Sequence, residues 1–373
     1  MDTNYLIIGG GMTADAAVKG IRQHDADGRI VLVGAEAHPP YKRPPLTKGL
    51  WSGGDEAKIW KGTEEKGAEL VLGRRIVSLD PNAKRATDDD GDEYAFDKVL
   101  IATGGTPRRV PGRETDRIFY YRTLDDFRRL HELAGEGKRI TVIGGGFIGS
   151  ELSASLTGVG AKVTMLFPED GIAARILPAD LSSFVTDYYR EKGVIVETGE
   201  SIKSTDDIDA DAVVLGLGIV PNVELAESAE LAVDNGIIVD EYGRADRDVF
   251  AAGDVANFPS RALGHSMRVE HEDHANTHGE VVGANMAGAN QPYDYIPFFY
   301  SDLFDLGYEA VGDTDPRLAT VETWQEPNRK GTIAYVDDDG RPRGFLMWNV
   351  WDKVDAAREL IRAGEPVGEG ALV

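Results

Sequence analysis

Two glycine-rich turns, each placed between an apolar strand and a helix, constrain this sequence more than any other feature. In the first the order is strand 5–8, turn 9–11, helix 14–21 and strand 30–33; in the second it is strand 140–143, turn 144–146, helix to 156 and strand 162–167. Continuous apolar strands of this length are typical of parallel sheets that are buried on both faces. The chain therefore predicts two βαβ units of similar design, an internal duplication at long range.

The first turn carries the pattern Gly9-x-Gly11-x-x-Ala14. Glycine lets the backbone approach a pyrophosphate, and the following helix N-terminus supplies N–H donors and the positive end of the helix dipole. The predicted contacts of this turn are Gly9, Gly10, Gly11, Met12 and Thr13. Glu36 follows the second strand and is expected to accept hydroxyl groups of an adenosine ribose. Ala35 stands at a position where an acid could equally be expected.

The second turn carries the complete pattern Gly144-x-Gly146-x-x-Gly149, again between a strand and a helix. Glu169 follows the next strand, and an acid there binds a ribose 2′-hydroxyl and disfavours a 2′-phosphate. This predicts NADH in preference to NADPH. Arg175 is the opposing signal, because arginine can hold a phosphate.

Two dinucleotide sites in one chain imply two dinucleotides, most simply a tightly held flavin and an exchangeable nicotinamide. The segment Val249 to Asp254 supports the flavin interpretation. It is an apolar strand that ends in glycine and then Asp254, whose carboxylate is predicted to lie at the ribityl and phosphate region of FAD.

The composition excludes several kinds of chemistry. The sequence contains no cysteine, so a redox-active disulfide, thiolate metal ligands and iron–sulfur ligation by this chain are excluded. Its net charge of −24 argues against nucleic-acid binding, which needs a basic surface. The acidic surface has two open interpretations, ordinary solvation and adaptation to high salt. No secretory signal or apolar run of about 18–20 residues is visible, so we expect a cytoplasmic protein without a membrane span.

Further distinctive stretches extend over nearly the whole chain. They are Pro40-Tyr41-Lys42-Arg43-Pro44-Pro45-Leu46-Thr47-Lys48, residues 100–108, Gly144 to Leu152, residues 166–169 with 176–178, Val269-Glu270-His271-Glu272-Asp273-His274-Ala275, and, in the C-terminal part, residues 301–303, 307–310 and 348–349. Together with the glycine turns, these stretches resemble the flavin-dependent pyridine-nucleotide oxidoreductases, in particular the branch with apoptosis-inducing factor and the bacterial ferredoxin and rubredoxin reductases.

The resemblance implies roles for particular positions. Beyond the first turn, Glu36 and Asp254, the implied FAD contacts are Arg43, Lys48, Ile76, Arg122, His271, Glu272 and Tyr300. The implied nicotinamide-dinucleotide contacts are Trp60, Gly145, Gly146, Phe147, Ile148, Glu169, Arg175, Gly218, Glu270, Glu309 and Asn349. Lys48 and Glu151 are implied to form a buried ion pair beside the flavin N5. These two residues and His271 are the candidate catalytic residues.

The cluster Glu270 to His274 contains two histidines and three acids, but its match to the family's flavin-facing segment predicts no metal site there, and His274 is expected to be a packing residue. Tyr300 stands where relatives commonly carry a tryptophan; a tyrosine ring can still stack.

We therefore predict an α/β fold with two Rossmann-like dinucleotide-binding domains and a small C-terminal α+β domain. The expected boundaries are 1–108 with 240–293 for FAD, 109–239 for NAD and 294–373 for the C-terminal domain. The resemblance implies hydride transfer from NADH to FAD and electron transfer to an acceptor, a ferredoxin or rubredoxin by first choice, in a monomer or homodimer. The alternative is a redox sensor like apoptosis-inducing factor, with a long-lived NAD–flavin charge-transfer complex.

Overall fold

The computed structural model describes residues 1–372, which fold into two compact units. The first unit contains residues 1–42, 56–106 and 220–297, and the second contains 43–55, 107–219 and 298–372. Within the second unit, residues 107–219 and 298–372 form separate sheets. The three-domain division with its boundaries at 108, 239 and 293 remains a prediction.

Seven α-helices lie within residues 1–372. They are α1 (Met12–Arg22), α2 (Leu124–Leu133), α3 (Phe147–Gly158), α4 (Ala179–Glu191), α5 (Glu224–Ser228), α6 (Glu272–Met286) and α7 (Val354–Ala363). The helices predicted after both glycine turns are confirmed, and both begin directly after the last glycine of the turn. Helix α7 begins at Val354, after Asp352, whose φ of 61° lies in the left-handed region that a right-handed helix cannot use.

The first unit is built on an eight-stranded sheet. Its main path is Arg244–Asp246, Val249–Ala251, Glu93–Ile101, Asp2–Ile8, Ile30–Gly34 and Ala68–Leu72, and the antiparallel strands Ile76–Asp80 and Arg85–Asp88 extend from Glu93–Ile101. The central strands are parallel, with Ile7 paired to both Leu32 and Leu100. Because separate apolar clusters cover the two faces of these strands, the prediction of strands buried on both sides is confirmed.

Helices α1 and α6 pack closely against one another on one face of this sheet. A Cβ atom at Gly283 would lie 2.2 Å from the Ala17 carbonyl oxygen, and one at Gly20 would lie 2.0 Å from the Glu280 carbonyl oxygen. Glycine at these positions therefore brings the two helix backbones into direct contact, and this contact supports the turn at which α1 begins.

The second unit repeats the plan of the first with a five-stranded parallel sheet. Its order is Ile195–Thr198, Lys162–Phe167, Arg139–Ile143, Ala212–Leu215 and Ile118–Tyr120. The second predicted strand–turn–helix–strand unit is thereby confirmed. Residues 298–372 add a five-stranded antiparallel sheet in the order Phe298–Leu303, Leu306–Gly312, Pro342–Trp348, Lys330–Val336 and Ala319–Glu326, together with α7. This is the α+β arrangement expected for the C-terminal part.

The remaining elements are short. Gly105–Pro107 and Ile219–Pro221 are strands, and Ile237–Ile238, Ala256–Ser260 and His265–Met267 form a three-stranded sheet in the first unit. The proline-rich segment contains a 3₁₀ turn, Pro44–Leu46, which begins with proline because a first-turn residue needs no N–H donor. Within residues 1–372, none of the helices combines the length and the apolar character that crossing a membrane requires.

The packing of α1 against α6 makes a prediction about stability. Replacing Gly283 with alanine should lower the free energy of unfolding by about 1–3 kcal/mol, because the methyl group would overlap the Ala17 carbonyl. Gly158→Ala is the matched control, since a Cβ at Gly158 meets no atom within 4 Å and alanine favours the helix. Urea unfolding followed by circular dichroism measures both. Equal stability of the two variants would contradict the backbone-to-backbone packing.

Candidate functional site

The first glycine turn joins the strand Asp2–Ile8 to α1 in the first unit. Gly9 has a φ of 129°, and a Cβ there would lie 2.1 Å from the Ala102 carbonyl oxygen, so the fold itself requires glycine at this position. Gly144 in the second unit is equivalent: its φ is 116° and a Cβ would lie 2.4 Å from the Gly216 carbonyl oxygen. Both turns are therefore shaped by a neighbouring strand end.

Gly11 and Gly146 are glycines for a different reason. Each precedes the first residue of its helix in ordinary extended backbone, with φ of −95° and −82°. A Cβ atom at either position would meet no atom of the chain within 4 Å. Neither backbone conformation nor packing requires glycine here, whereas an anionic ligand approaching the helix N–H groups does. The residues at both turns therefore fit a bound dinucleotide.

Glu36 follows the strand Ile30–Gly34, as predicted, and its position is fixed by Tyr41. The Tyr41 hydroxyl donates a hydrogen bond of 2.6 Å to Glu36 Oε2. Trp60, predicted as a nicotinamide-dinucleotide contact, lies edge-on against Tyr41 with ring centroids 6.1 Å apart. Trp60 thus lies close to Tyr41, the hydrogen-bond partner of Glu36, which is the residue predicted to bind a ribose.

Asp254 lies in a tight 3₁₀ turn, Gly253–Val255, directly after the strand Val249–Ala251. Gly253 has a φ of 73°, and a Cβ there would lie 2.2 Å from Thr13 Oγ1. The Gly253 N–H donates a 3.3 Å hydrogen bond to Nδ1 of the buried His278. The structure therefore places Thr13 of α1 against the turn that carries Asp254, and α6 supports this turn.

The residues before α6 form a second group near this turn. Glu270 pairs with Arg268 at 2.7 Å, and Arg268 Nη1 also donates to the Asp254 carbonyl oxygen at 3.2 Å. Burial lowers the pKa of His271 to about 4, against the opposing effect of the Asp254 carboxylate, so that His271 is neutral at pH 7. Glu272 is the first residue of α6.

His274 is fully buried and stacks on Phe258, with ring centroids 4.8 Å apart. Its Nδ1 lies 3.0 Å from the Tyr293 hydroxyl, and burial lowers its pKa to about 3. The ring is therefore a neutral packing group, as expected. Within residues 1–372, no group of three or more His, Cys, Asp or Glu side chains is arranged to hold a metal ion.

In the second unit, Glu169 and Arg175 are paired. Arg175 Nη2 lies 2.6 Å from Glu169 Oε1, and Arg175 Nε donates to the same oxygen at 2.8 Å. The arginine side chain is 83% exposed, whereas that of Glu169 is 23% exposed. Glu169 favoured NADH and Arg175 favoured NADPH in the sequence. In the structure the two residues form one ion pair, in which Glu169 is the less exposed partner.

Lys48 and Glu151 also lie together in the second unit, and Lys48 Nζ donates to Glu151 Oε1. Their side chains are 15% and 7% exposed. Lys48 Nζ lies 4.9 Å from the centre of the Tyr300 ring, a cation–π contact. The ion pair that the resemblance implied is thus present, and the structure adds Tyr300 to it.

Other predicted contacts in this unit have clear local partners. Arg43 Nη1 donates to the Arg122 carbonyl oxygen at 2.7 Å, which joins two predicted FAD contacts. Asn349 accepts from the Gly307 N–H and donates to the Arg329 carbonyl oxygen, both at 2.8 Å, so its amide holds the end of the C-terminal sheet.

Within residues 1–372, Glu309 is the one predicted contact residue with a buried polar side-chain atom that makes no hydrogen bond. Its Oε2 atom has no hydrogen-bond partner there. Burial, and secondly the charge of Asp352, raise the pKa of its carboxyl group. A buried acceptor without a partner is unfavourable in the protein alone, and an amide N–H of a ligand would satisfy it.

The predicted residues divide between the units as follows. The first unit holds Gly9, Gly10, Gly11, Met12, Thr13, Glu36, Trp60, Ile76, Asp254, Glu270, His271 and Glu272. The second holds Arg43, Lys48, Arg122, Gly145, Gly146, Phe147, Ile148, Glu151, Glu169, Arg175, Gly218, Tyr300, Glu309 and Asn349. Ile76 is the first residue of a strand and is 6% exposed, Phe147 is the first residue of α3, and Gly218 has a φ of 78°.

Sequence reasoning did not identify the residues that support these groups. Arg268 and Tyr41 contact predicted site residues, His278 accepts a hydrogen bond from Gly253 beside Asp254, and Thr47 and Ser301 donate hydrogen bonds to Glu151. Tyr41, Thr47, Arg268 and Ser301 are close in sequence to predicted site residues, which is a signal that the sequence offers. His278 comes from a position distant from Asp254 along the chain.

Comparison with known proteins gives one consistent result. The sequence pattern of the family described as "Pyridine nucleotide-disulphide oxidoreductase" matches residues 3–279, and that described as "Apoptosis-inducing factor, mitochondrion-associated, C-term" matches residues 282–331. Apoptosis-inducing factor 1, mitochondrial, of Dictyostelium discoideum is 35% identical, over 96% of this chain and 78% of that protein.

Two further proteins are similar over almost their whole length. The ferredoxin–NAD(+) reductase component of the anthranilate 1,2-dioxygenase system of Burkholderia cepacia is 34% identical, over 96% of this chain and 94% of that protein. The crystal structure of a covalent putidaredoxin reductase–putidaredoxin complex matches with a TM-score of 0.91 at 26% identity, over 98% of this chain and 94% of the matched chain.

Proposed function

Because the chain belongs to the pyridine nucleotide-disulphide oxidoreductase family, we propose that it moves electrons from NADH through FAD to a small iron–sulfur protein. FAD and NAD(H) binding is expected for this family. The observation that carries the proposal is the pair of glycine turns, whose helix N-termini are left open at Gly11 and Gly146. Since the sequence contains no cysteine, electrons pass without a disulfide.

The nature of the acceptor rests on two relatives. The Burkholderia protein is named as a ferredoxin–NAD(+) reductase component, and the putidaredoxin reductase was crystallised in covalent complex with putidaredoxin. Each match covers at least 94% of both chains. We therefore assign a ferredoxin-like protein as the acceptor of this chain.

Bound FAD supplies a centre that accepts a hydride and gives up electrons to an acceptor. The chain's own residues would bind and orient it: the turn Gly9 to Thr13 holds the pyrophosphate at the N-terminus of α1, Glu36 holds the ribose and Asp254 the ribityl region. Lys48 would place a positive charge near the atom that receives the hydride, where it favours the negative charge that develops. Arg43, Arg122, His271 and Tyr300 complete the proposed contacts.

The second glycine turn would hold the nicotinamide dinucleotide, with NADH preferred over NADPH. A carboxylate at Glu169 accepts hydrogen bonds from ribose hydroxyls and repels a 2′-phosphate. Arg175, which could bind that phosphate, is paired with Glu169. The ion pair therefore supports selection of NADH, while the exposed Arg175 remains a source of residual affinity for NADPH.

A second candidate function is redox sensing. The match of residues 282–331 to the C-terminal pattern of apoptosis-inducing factor and the similarity to the Dictyostelium protein favour it. In a sensor, the reduced protein with bound nicotinamide would persist in air. In a reductase, an acceptor reoxidises it rapidly.

Turnover with an acceptor separates the two functions. We expect NADH to bleach the flavin absorbance of the purified protein and a small ferredoxin to restore it within seconds, since a reductase must reoxidise during turnover. Stopped-flow absorbance measures both steps, with buffer in place of the ferredoxin as control. A reduced form that is stable for many minutes with ferredoxin present would refute the reductase assignment and support the sensor.

Substitutions at Gly11 and at Gly146 should weaken the binding of different cofactors. Gly11→Ala should fold normally but retain little FAD, because its methyl group would occupy the space where the pyrophosphate approaches. Gly146→Ala should retain FAD and bind NADH at least about tenfold more weakly. Flavin absorbance per protein and NADH titration measure the effects, and each variant is the control for the other. Native cofactor binding in both would overturn the assignment of the turns.

Glu169 should control the choice of nicotinamide. Glu169→Gln removes the charge that repels a 2′-phosphate and releases Arg175 to bind it, so the preference for NADH over NADPH should fall by about tenfold or more. Steady-state kcat/KM with each dinucleotide gives this ratio. Arg175→Gln is the control, which should not improve the use of NADPH. An unchanged ratio in Glu169→Gln would exclude Glu169 as the specificity residue.

A further inference from the structure

The carboxylate of Glu151 is held by more than its lysine partner. Thr47 Oγ1 donates a 2.6 Å hydrogen bond to Glu151 Oε2, and Ser301 Oγ donates a 2.7 Å hydrogen bond to Oε1, which also accepts from Lys48. Thr47 is 4% exposed and Ser301 is fully buried. Three donors from two separate stretches of the second unit therefore converge on one buried acid.

Thr47 is itself fixed to α3 at two points. Its hydroxyl contacts Glu151, and its carbonyl oxygen accepts a 2.7 Å hydrogen bond from Ser155 Oγ, one helical turn further on. The Thr47 hydroxyl also lies 3.2 Å from the Pro44 carbonyl oxygen, a longer contact than the one to the carboxylate. The peptide that carries Lys48 is thus attached to the helix that carries Glu151.

Lys48 has a second acid within reach. Asp302 Oδ2 lies 3.4 Å from Lys48 Nζ, and the Asp302 side chain is 55% exposed, whereas Glu151 is buried. The ammonium group therefore lies between an internal and an external carboxylate. Hydrogen bonds that fix Glu151 favour the internal position over the external one.

The other titratable groups around Glu151 are two buried tyrosines. Burial, and secondly the charge of Glu151, raise the pKa of Tyr189 and of Tyr308 well above the usual value, so both phenols stay neutral. Tyr308 is hydrogen-bonded to Ser301 on the neighbouring strand. Lys48 and Asp302 are thus the charged side chains that the structure places with Glu151.

We propose that Thr47 and Ser301 are positioning residues: their hydroxyl groups fix Glu151 as the counterion of Lys48 and so keep the Lys48 ammonium group at its internal position. The proposal rests on the proposed function for its effect on electron transfer. If the hydroxyl of Thr47 or that of Ser301 is removed, the buried carboxylate of Glu151 loses a charge-assisted hydrogen bond. Lys48 then moves towards Asp302.

Unfolding measurements test the hydroxyl contacts without any cofactor chemistry. Ser301→Ala and Thr47→Val should lower the urea midpoint in the native background and have a clearly smaller effect in the Glu151→Gln background, because the charge they stabilise is then absent. Thr47→Ser, which keeps the hydroxyl, should behave like the native protein. Equal losses in both backgrounds would overturn the proposal.

Flavin reduction tests the consequence for Lys48. Ser301→Ala and Thr47→Val should retain FAD but slow its reduction by NADH about tenfold, because Lys48 is no longer held at its internal position, whereas Thr47→Ser, which keeps the hydroxyl, should keep the native rate. Ser153→Ala is the matched control: it removes from the same helix a buried hydroxyl that has no hydrogen-bond partner within residues 1–372, and its rate should be native.

The two measurements separate the possible failures. If NADH does not reduce the flavin of the native protein, the proposed function is wrong, and the unfolding cycle still decides whether the hydroxyls act on Glu151. If the native protein is reduced but Ser301→Ala and Thr47→Val match Ser153→Ala in rate, the positioning role is refuted while the proposed function stands.

Discussion

The structure depends on the need of the two helix N-termini at the glycine turns for a partner for their N–H groups. In both units a parallel strand ends in glycine and delivers the chain directly into a helix, α1 or α3. At Gly9 and Gly144 the glycine is required by the next strand, whereas at Gly11 and Gly146 the space in front of the helix is open. The chain thus builds two equivalent positive ends, each suited to a pyrophosphate.

Each of these helices also contains a buried acid in its first or second turn. Asp15 of α1 accepts a 2.7 Å hydrogen bond from Thr63 and lies 3.5 Å from Lys61. Glu151 of α3 is held by Thr47 and Lys48 in the same manner. A negative charge is favoured near a helix N-terminus, and a buried carboxylate needs both a cation and further hydrogen bonds. In each unit this acid attaches an irregular segment to the helix that follows the glycine turn.

A chain without cysteine must carry out its redox chemistry with the cofactor and its surroundings alone. The family description refers to a disulphide, yet the similarity to ferredoxin–NAD(+) reductase and to apoptosis-inducing factor extends over 96% of this chain. Under the proposed function, the residues that would adjust the flavin are charged and aromatic side chains such as Lys48 and Tyr300. Their effect would depend on their positions, to which the hydrogen bonds to Glu151 contribute.

Local patterns in the amino-acid sequence were enough to predict the two βαβ units, the order of their strands and helices, and the exclusion of disulfide chemistry. Apolar runs and glycine spacing are properties of short stretches, and residue counts are properties of the composition. The support of the Asp254 turn by His278, and the sharing of the Glu151 carboxylate by Thr47 and Ser301, depend on the tertiary structure. Side chains that are far apart along the chain meet through packing, which no local pattern encodes.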